Sequence, residues 1–176
     1  LRNELWLAPW EPTSPHTWAE RHSVSAWPPL LSALRRGGRA GTMLPFVISY
    51  GGRFAGQLNV SNVVHGVLRS CTVGYWVDRG VAGRGIAPVA LALAIDHCLG
   101  PVGLHRVEVD IRPENAPSLR VVEKLGLRRE GYLERFLDID GGWRDHVCFA
   151  VTVEEVRGRT MVSRIGQLPP VPPASA

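Results

Sequence analysis

The chain has 176 residues, the length of one domain with a real core and too short for a second domain of ordinary size. Its formal charge of +4 rests almost wholly on arginine, since Lys124 is the single lysine. The arginines are scattered, with only Arg35-Arg36 and Arg128-Arg129 adjacent, so the balance suits an anionic ligand and argues against direct nucleic-acid binding as the main function. No run of 18 or more uncharged apolar residues is present and no basic-then-apolar leader precedes the domain, which predicts a soluble, non-secreted, cytoplasmic protein with no membrane partner.

Pro12-Thr13-Ser14-Pro15 breaks the chain before a short helix over His16–His22. Pro28-Pro29 opens a second helix, whose Leu30, Leu31 and Leu34 fall at helical spacing before Gly37-Gly38 ends it. Pro45–Tyr50 and Arg53–Asn62 then read as strands joined by Gly51-Gly52, a two-residue link that accepts positive φ and makes a tight hairpin. A third strand, Thr72–Asp78, alternates Val73, Tyr75 and Val77 with Gly74 and Trp76. Two helices followed by a β-meander is not the opening of a Rossmann domain, which alternates strands with helices from the start.

The run from Ile86 to Leu99 is too long and too alanine-rich for a strand and reads as an apolar helix. The turn Ala82-Gly83-Arg84-Gly85-Ile86-Ala87 therefore sits where strand becomes helix. Backbone N–H groups at that point lack intrahelical partners and the helix dipole is positive, so the turn offers a site for phosphate oxygens. No Gly-Lys-Ser/Thr follows, which excludes a Walker loop, and Pro88 stands where a Rossmann fingerprint has its third glycine. Taken alone, a glycine turn of this kind is more often structural than a ligand site.

His105–Ile111 alternates Val107, Val109 and Ile111 with Arg106, Glu108 and Asp110 as a half-buried strand. A crossover helix between two strands of one sheet makes it parallel to Thr72–Asp78. Ala116–Leu125 is the next helix, with Asn115 as its cap and Gly126 as its stop. Arg128–Ile139 and Trp143–Val153 close the domain as a hairpin across Asp140-Gly141-Gly142, with Glu130 a solvated strand charge. Beyond Arg157 the composition turns to Gly, Ser and Pro, so residues 1–156 form the domain and 157–176 a proline-rich, extended tail.

Cys71, Cys98 and Cys148 have no Cys-x-x-Cys spacing and read as reduced thiols. The six histidines show no ligand spacing either, so no metal site is predicted. Asp145-His146 invites comparison with a catalytic dyad, but neighbours on a strand point to opposite faces and cannot readily act on one proton.

One combination is specific: the Gly83-Arg84-Gly85-Ile86-Ala87 turn, then Arg112-Pro113-Glu114-Asn115-Ala116-Pro117-Ser118, then Glu123-Lys124-Leu125-Gly126-Leu127. In this order and spacing, from about Asn3 to Val153, the chain resembles the GCN5-related N-acetyltransferases (GNAT), and within them the RimJ/RimL group that acetylates protein N-termini. Leu5 to Pro12 resembles that group's Pro-Trp-Glu-Pro segment, and Ile139 to His146 its last hairpin. The group has a further strand before the position of Leu1. The resemblance implies an α/β (α+β) fold with a mixed, mostly antiparallel central sheet, flanked by helices, in which the parallel pair splays to admit the pantetheine arm of acetyl-CoA. No metal is implied, and the assembly is a monomer or homodimer.

The same resemblance assigns roles. Backbone N–H groups of Gly83, Arg84, Gly85, Ile86 and Ala87 hold the pyrophosphate. An N–H near Trp76 or Val77 meets the oxyanion, Asn115 contacts the cofactor, and Ser118 protonates or hydrogen-bonds the leaving thiolate. Trp10, Glu11 and Asp145 face the acceptor, with water held by Glu11, Asp145 or a backbone carbonyl; taken singly, each tryptophan reads more readily as a packing residue. Asn115 as a helix cap and Ser118 as a surface residue need no ligand at all.

Three positions depart from the family pattern: Thr72 and Leu137 stand where relatives carry a glutamate, and Ala82 replaces the usual Gln or Arg. The general base is thus not assigned. An α-amine of pKa about 8 is roughly 10% neutral at pH 7, against about 0.04% for a lysine amine, so an N-terminal acceptor needs less basic help. The expected function is acetyl transfer from acetyl-CoA to a protein N-terminal amine, such as that of a ribosomal protein. The alternatives are a small-molecule amine (antibiotic or polyamine) acetyltransferase and a degenerate acyl-CoA-binding module.

Overall fold

Alternation of apolar with polar residues builds six strands into one sheet in the computed structural model, which describes residues 2–166. The strands are β1 (Leu44–Tyr50), β2 (Arg53–Val64), β3 (Ser70–Val77), β4 (Arg106–Ile111), β5 (Arg128–Ile139) and β6 (Gly142–Thr152). Their order across the sheet is β1-β2-β3-β4-β6-β5. Every neighbouring pair is antiparallel except β3 and β4. The connection between those two is the predicted helix, α4 (Ile86–Leu99).

Five helices complete the fold: α1 (Glu4–Leu7), α2 (Trp18–Arg21), α3 (Trp27–Arg39), α4, and α5 (Ala116–Leu125). The core lies between the sheet and α4 with α5. Val60, Val73, Val107, Val109 and Val151 from the strands meet Leu91, Ile95, Val122 and Leu125 from the helices. In β4 the pattern is strict, Val107, Val109 and Ile111 buried and Arg106, Glu108 and Asp110 half-exposed. Burial of α4 on several sides, including Ala92 and Ala94, explains its continuous apolar sequence.

Backbones of β2 and β3 pass unusually close at Gly56. A Cβ built there would lie 2.2 Å from the Trp76 carbonyl oxygen, so this strand position excludes any side chain. That contact also fixes the direction of β3: the Trp76 carbonyl and the Asp78 N–H, which donates to Ala55 O at 2.7 Å, both point toward β2. By alternation the N–H and C=O groups of Tyr75 and Val77 point the other way, toward β4.

Several expected boundaries move. The helix placed at His16–His22 shortens to Trp18–Arg21, because Thr17 accepts from Glu20 N and forms a capping box with it. Gly37-Gly38 do not end α3, which runs to Arg39 with Ala40 N donating to Arg36 O at 2.9 Å. A Cβ at Gly37 would come within 3.1 Å of the Met43 Cβ, so a small residue there lets the chain fold back into β1. The helix α1 and the 3-10 turn Ala8–Trp10 have too few residues to show a period in the sequence.

Residues 157–166 are not the extended tail expected from residue 157. Met161 and Ile165 are buried in the core, and Asp96 of α4 accepts from the N–H groups of Met161 at 2.7 Å and Val162 at 3.2 Å. Composition alone hides two apolar anchors among Gly, Ser and Arg. Residues 167–176, with their prolines, lie outside the described residues. No helix among the described residues is long and apolar enough to cross a membrane.

Candidate active site

The parallel pair is brief. β3 and β4 are in register at Ser70–Arg106, Cys71–Val107 and Thr72–Glu108, and there the pairing stops although both strands continue. Beyond Thr72 and Glu108 the two strands part. The N–H groups of Tyr75 and Val77 face the gap, whereas those of Trp76 turn toward β2. Of the two residues predicted to offer an oxyanion donor, Val77 has its amide in the gap, and Tyr75 joins it.

Residues 2–13 strap across the open end of the gap. Asp78, at the end of β3, accepts from Arg2 Nε at 2.8 Å, Asn3 Nδ2 at 2.8 Å and Gly80 N at 2.8 Å. The Asn3 amide, first among these donors, holds the Asp78 carboxyl below the ordinary carboxylate value. Trp6 Nε1 donates to Val77 O at 3.0 Å. At the end of β4, Arg112 Nη1 donates to Pro9 O at 2.6 Å and its guanidinium lies 5.1 Å from the Trp10 ring centroid. Farther on, Pro12 bridges to Ile139, and Thr13 Oγ1 donates to Asp138 Oδ1 at 2.6 Å.

Between the strap, the gap and the two helices lies a cleft of about 540 Å³. Its walls include Trp6, Trp10, Tyr75, Val77, Asn115 and Ser118. Its far end is the glycine turn, where Gly83 and Gly85 have φ of +79° and +77°, values open to glycine and strained for other residues. Gly85 is the N-cap of α4 and has no side chain to satisfy the first amides. Among the described residues, the N–H groups of Gly83, Gly85, Ile86 and Ala87 make no hydrogen bond with the protein. Arg120 and Lys124 of α5 line the same cleft. Free amides at a helix start, two nearby cations and largely apolar walls fit a diphosphate with a long, weakly polar arm.

Asn115 acts as the cap of α5, its Oδ1 accepting from Ser118 N at 3.2 Å, and it lines the cleft as well. The Tyr75 hydroxyl is buried beside the Ser118 side chain, without a well-formed hydrogen bond among the described residues. Burial, the larger influence, pushes this phenol up to about 12. It therefore stays a neutral donor at physiological pH. Two hydroxyl side chains, those of Tyr75 and Ser118, thus line the helix side of the gap.

The structure separates the other expected residues. Arg84 does not line the cleft. Glu11 pairs with Arg21 and with His22 Nε2 at 3.2 Å, outside the cleft walls. Asp145 accepts from Tyr132 Oη at 2.7 Å and Arg135 N at 2.7 Å on β5, also away from Ser118. Asp145 is exposed to partners on one face while His146 is 4% exposed on the other, as alternation requires. Glu130 is an exposed strand charge, as expected, and is ion-paired as well: Arg106, the stronger partner, and Arg128 hold it in a network and lower its pKa to about 2. Among the described residues no group of three His, Cys, Asp or Glu side chains could hold a metal ion.

The sequence alone does not mark Tyr75, Asp78, Arg120 and Lys124 for this site. Tyr75 was reachable, because its alternation with Val73 and Val77 puts it on the helix side of β3. The partners of Asp78 were not, since Arg2 and Asn3 lie more than seventy positions away.

The structure of Mycobacterium smegmatis RimJ in complex with CoA-disulfide matches with a TM-score of 0.90 and 48% identity, over 93% of this chain and 78% of that one. The [Ribosomal protein uS5]-alanine N-acetyltransferase of Escherichia coli (strain K12) is 32% identical over 156 residues, 87% of this chain and 78% of the relative. The Bacillus subtilis (strain 168) protein Probable N-acetyltransferase YjcK is 33% identical over 99 residues, and there the chain spans only 55% of the relative's length. A model of the acetyltransferase (GNAT) domain matches residues 3–128, a span that takes in the strap, the parted strands, the glycine turn and both cleft helices. This chain belongs to the GNAT acetyltransferase family.

Proposed function

We propose that the protein transfers acetyl from acetyl-CoA to the N-terminal α-amine of a protein, with a ribosomal protein as the acceptor class. The observation that carries this reading is the parting of β3 from β4 after Thr72 and Glu108, directly above a glycine turn with free amides. The turn would hold the diphosphate, leaving the acyl group in the gap beside the Val77 and Tyr75 amides. Ser118, which lines the cleft beside Tyr75, would hydrogen-bond the departing sulfur. The acceptor class comes from relatives named for ribosomal-protein alanine N-acetylation, at 32% identity to the Escherichia coli enzyme. Work on ribosomal proteins would place the chain in the cytoplasm.

Thiol release from acetyl-CoA tests the proposal, with N-terminal alanine peptides, N-terminally blocked lysine peptides, spermidine and an aminoglycoside as acceptors. Release with the free alanine terminus alone is expected. Turnover of spermidine or the aminoglycoside in preference to the peptide would move the acceptor class to small amines. Tight acetyl-CoA binding with no turnover of any amine would favour a binding module, the reading kept open by Thr72 and Leu137 in place of carboxylates.

A further inference from the structure

Asp110 stands on β4 two residues past Glu108, the last residue of that strand in register with β3. Strand alternation puts it with Arg106 and Glu108 on the sheet face away from α4 and α5, opposite the buried Val107, Val109 and Ile111. Extended by two residues, the parallel register sets Gly74 of β3 across the gap from Asp110. Gly74 is exposed, and a Cβ built on it would touch nothing within 4 Å. The space beside the carboxylate is therefore open on the β3 side.

The carboxylate itself has the Cys148 thiol of β6 beside it, without a well-formed hydrogen bond, and no stronger donor among the described residues. Asp110 Oδ1 is shielded from water and accepts no hydrogen bond among the described residues. Glu108, its neighbour on the same face, is bound by Arg106 Nε at 2.6 Å, and Arg106 is held in turn by Glu130. Asp110 has no ion pair among the described residues. The titratable groups facing it are Glu108 and Arg106 from β4 and Cys148 and His146 from β6; the facing positions of β3 are Thr72 and Gly74. Burial, the largest influence, pushes its pKa up from the ordinary carboxylate value. An acyl group reached from the helix side of the gap leaves this opposite face as the approach for an amine.

We propose that Asp110 is the proton acceptor for the incoming amine, the function that Thr72 and Leu137 cannot supply. The inference rests on the acetyltransferase reading above. An ammonium entering beside Gly74 gives one proton to the Asp110 carboxylate, and the neutral nitrogen then attacks the thioester carbonyl. The C–N bond forms and the C–S bond breaks. The second proton lost by nitrogen goes to the departing thiolate by way of Ser118, and the proton on Asp110 passes to water. The products are the amide, the free thiol and one proton.

The test is the pH profile of Asp110→Asn and Asp110→Glu with acetyl-CoA and an N-terminal alanine peptide, alongside coenzyme A binding by calorimetry and thermal melting. Asp110→Asn should lower kcat/KM at pH 7 by about a hundredfold. Coenzyme A affinity should stay within about twofold, melting should not fall, and the deficit should shrink toward pH 9.5, where the amine is neutral without help. Asp110→Glu should recover part of the lost rate. Equal kcat/KM in wild type and Asp110→Asn, a deficit independent of pH, or a parallel loss of coenzyme A binding would overturn the assignment while leaving the transferase reading intact. Failure of the wild type to turn over any amine would overturn both.

Discussion

The indole N–H of Trp6 donates to the carbonyl oxygen of Val77 at 3.0 Å, across 71 positions of sequence. Val77 lies in the stretch of β3 beyond Thr72 that has lost β4 as a partner, so its carbonyl would otherwise face the gap without a donor. Trp6 thereby completes the backbone of β3 and puts an aromatic wall on the cleft. With Asp78 holding Arg2 and Asn3 one residue further on, the strap is fastened where the sheet opens.

Trp6→Phe keeps the ring and removes the donor. It should cost about 1–2 kcal/mol, the range for a partly buried carbonyl left without its partner. Urea unfolding gives the magnitude, and hydrogen exchange should show faster opening at the end of β3 than in β2. An unchanged midpoint with unchanged exchange would mean that the strap's other contacts, with Asp78, Arg112 and Asp138, hold it without Trp6.

Gly85→Val places a β-branched residue at a φ of +77° and a side chain over the free amides of the turn. Coenzyme A affinity should fall at least about tenfold, because close approach to the main chain is what glycine permits there. Calorimetry checks this; affinity equal to wild type would remove the turn from the binding site.

Ser118→Ala retains the backbone N–H that donates to Asn115, so the start of α5 is preserved. Turnover should drop by about tenfold to a hundredfold with acetyl-CoA affinity within about twofold, the pattern of a group used chiefly in the chemical step. Equal kcat in the two proteins would exclude the hydroxyl from the mechanism.

Acid should expose the network around Glu130. Its pKa in the folded chain is about 2, against an ordinary value of 4.5, with Arg106 the main cause and Arg128 adding to it. A depressed carboxylate contributes stability that is fully present above pH 4.5 and is lost as pH falls through about 2. Glu130→Gln should lower stability by about 1 kcal/mol at pH 7 and by much less at pH 2, since part-exposed pairs are screened. Denaturation midpoints at the two pH values measure the difference, and an equal loss at both would show that charge is not the cause.

Much of the architecture was legible because it is encoded locally. The limits of α4, α5 and β5 coincide with those read from the sequence, each set by a period of apolar residues and a nearby Pro, Asn or Gly. The same locality misled at Gly37-Gly38, where a tertiary approach to Met43 and not a helix stop explains the glycines. It misled again after Arg157, where two buried side chains outweigh a polar composition.

By itself the sequence determined the order of strands and helices, the parallel crossover through α4 and the glycine turn, since each follows from spacing within a few residues of chain. Only the tertiary structure decided that β3 and β4 part after Thr72 and Glu108, that residues 2–13 cross the opening, and that Asp110 Oδ1 is buried without a hydrogen bond among the described residues. These depend on which backbone groups find donors across tens of residues. Hydrogen bonding of that kind is settled by the packing of the whole sheet and leaves no period in the chain to read.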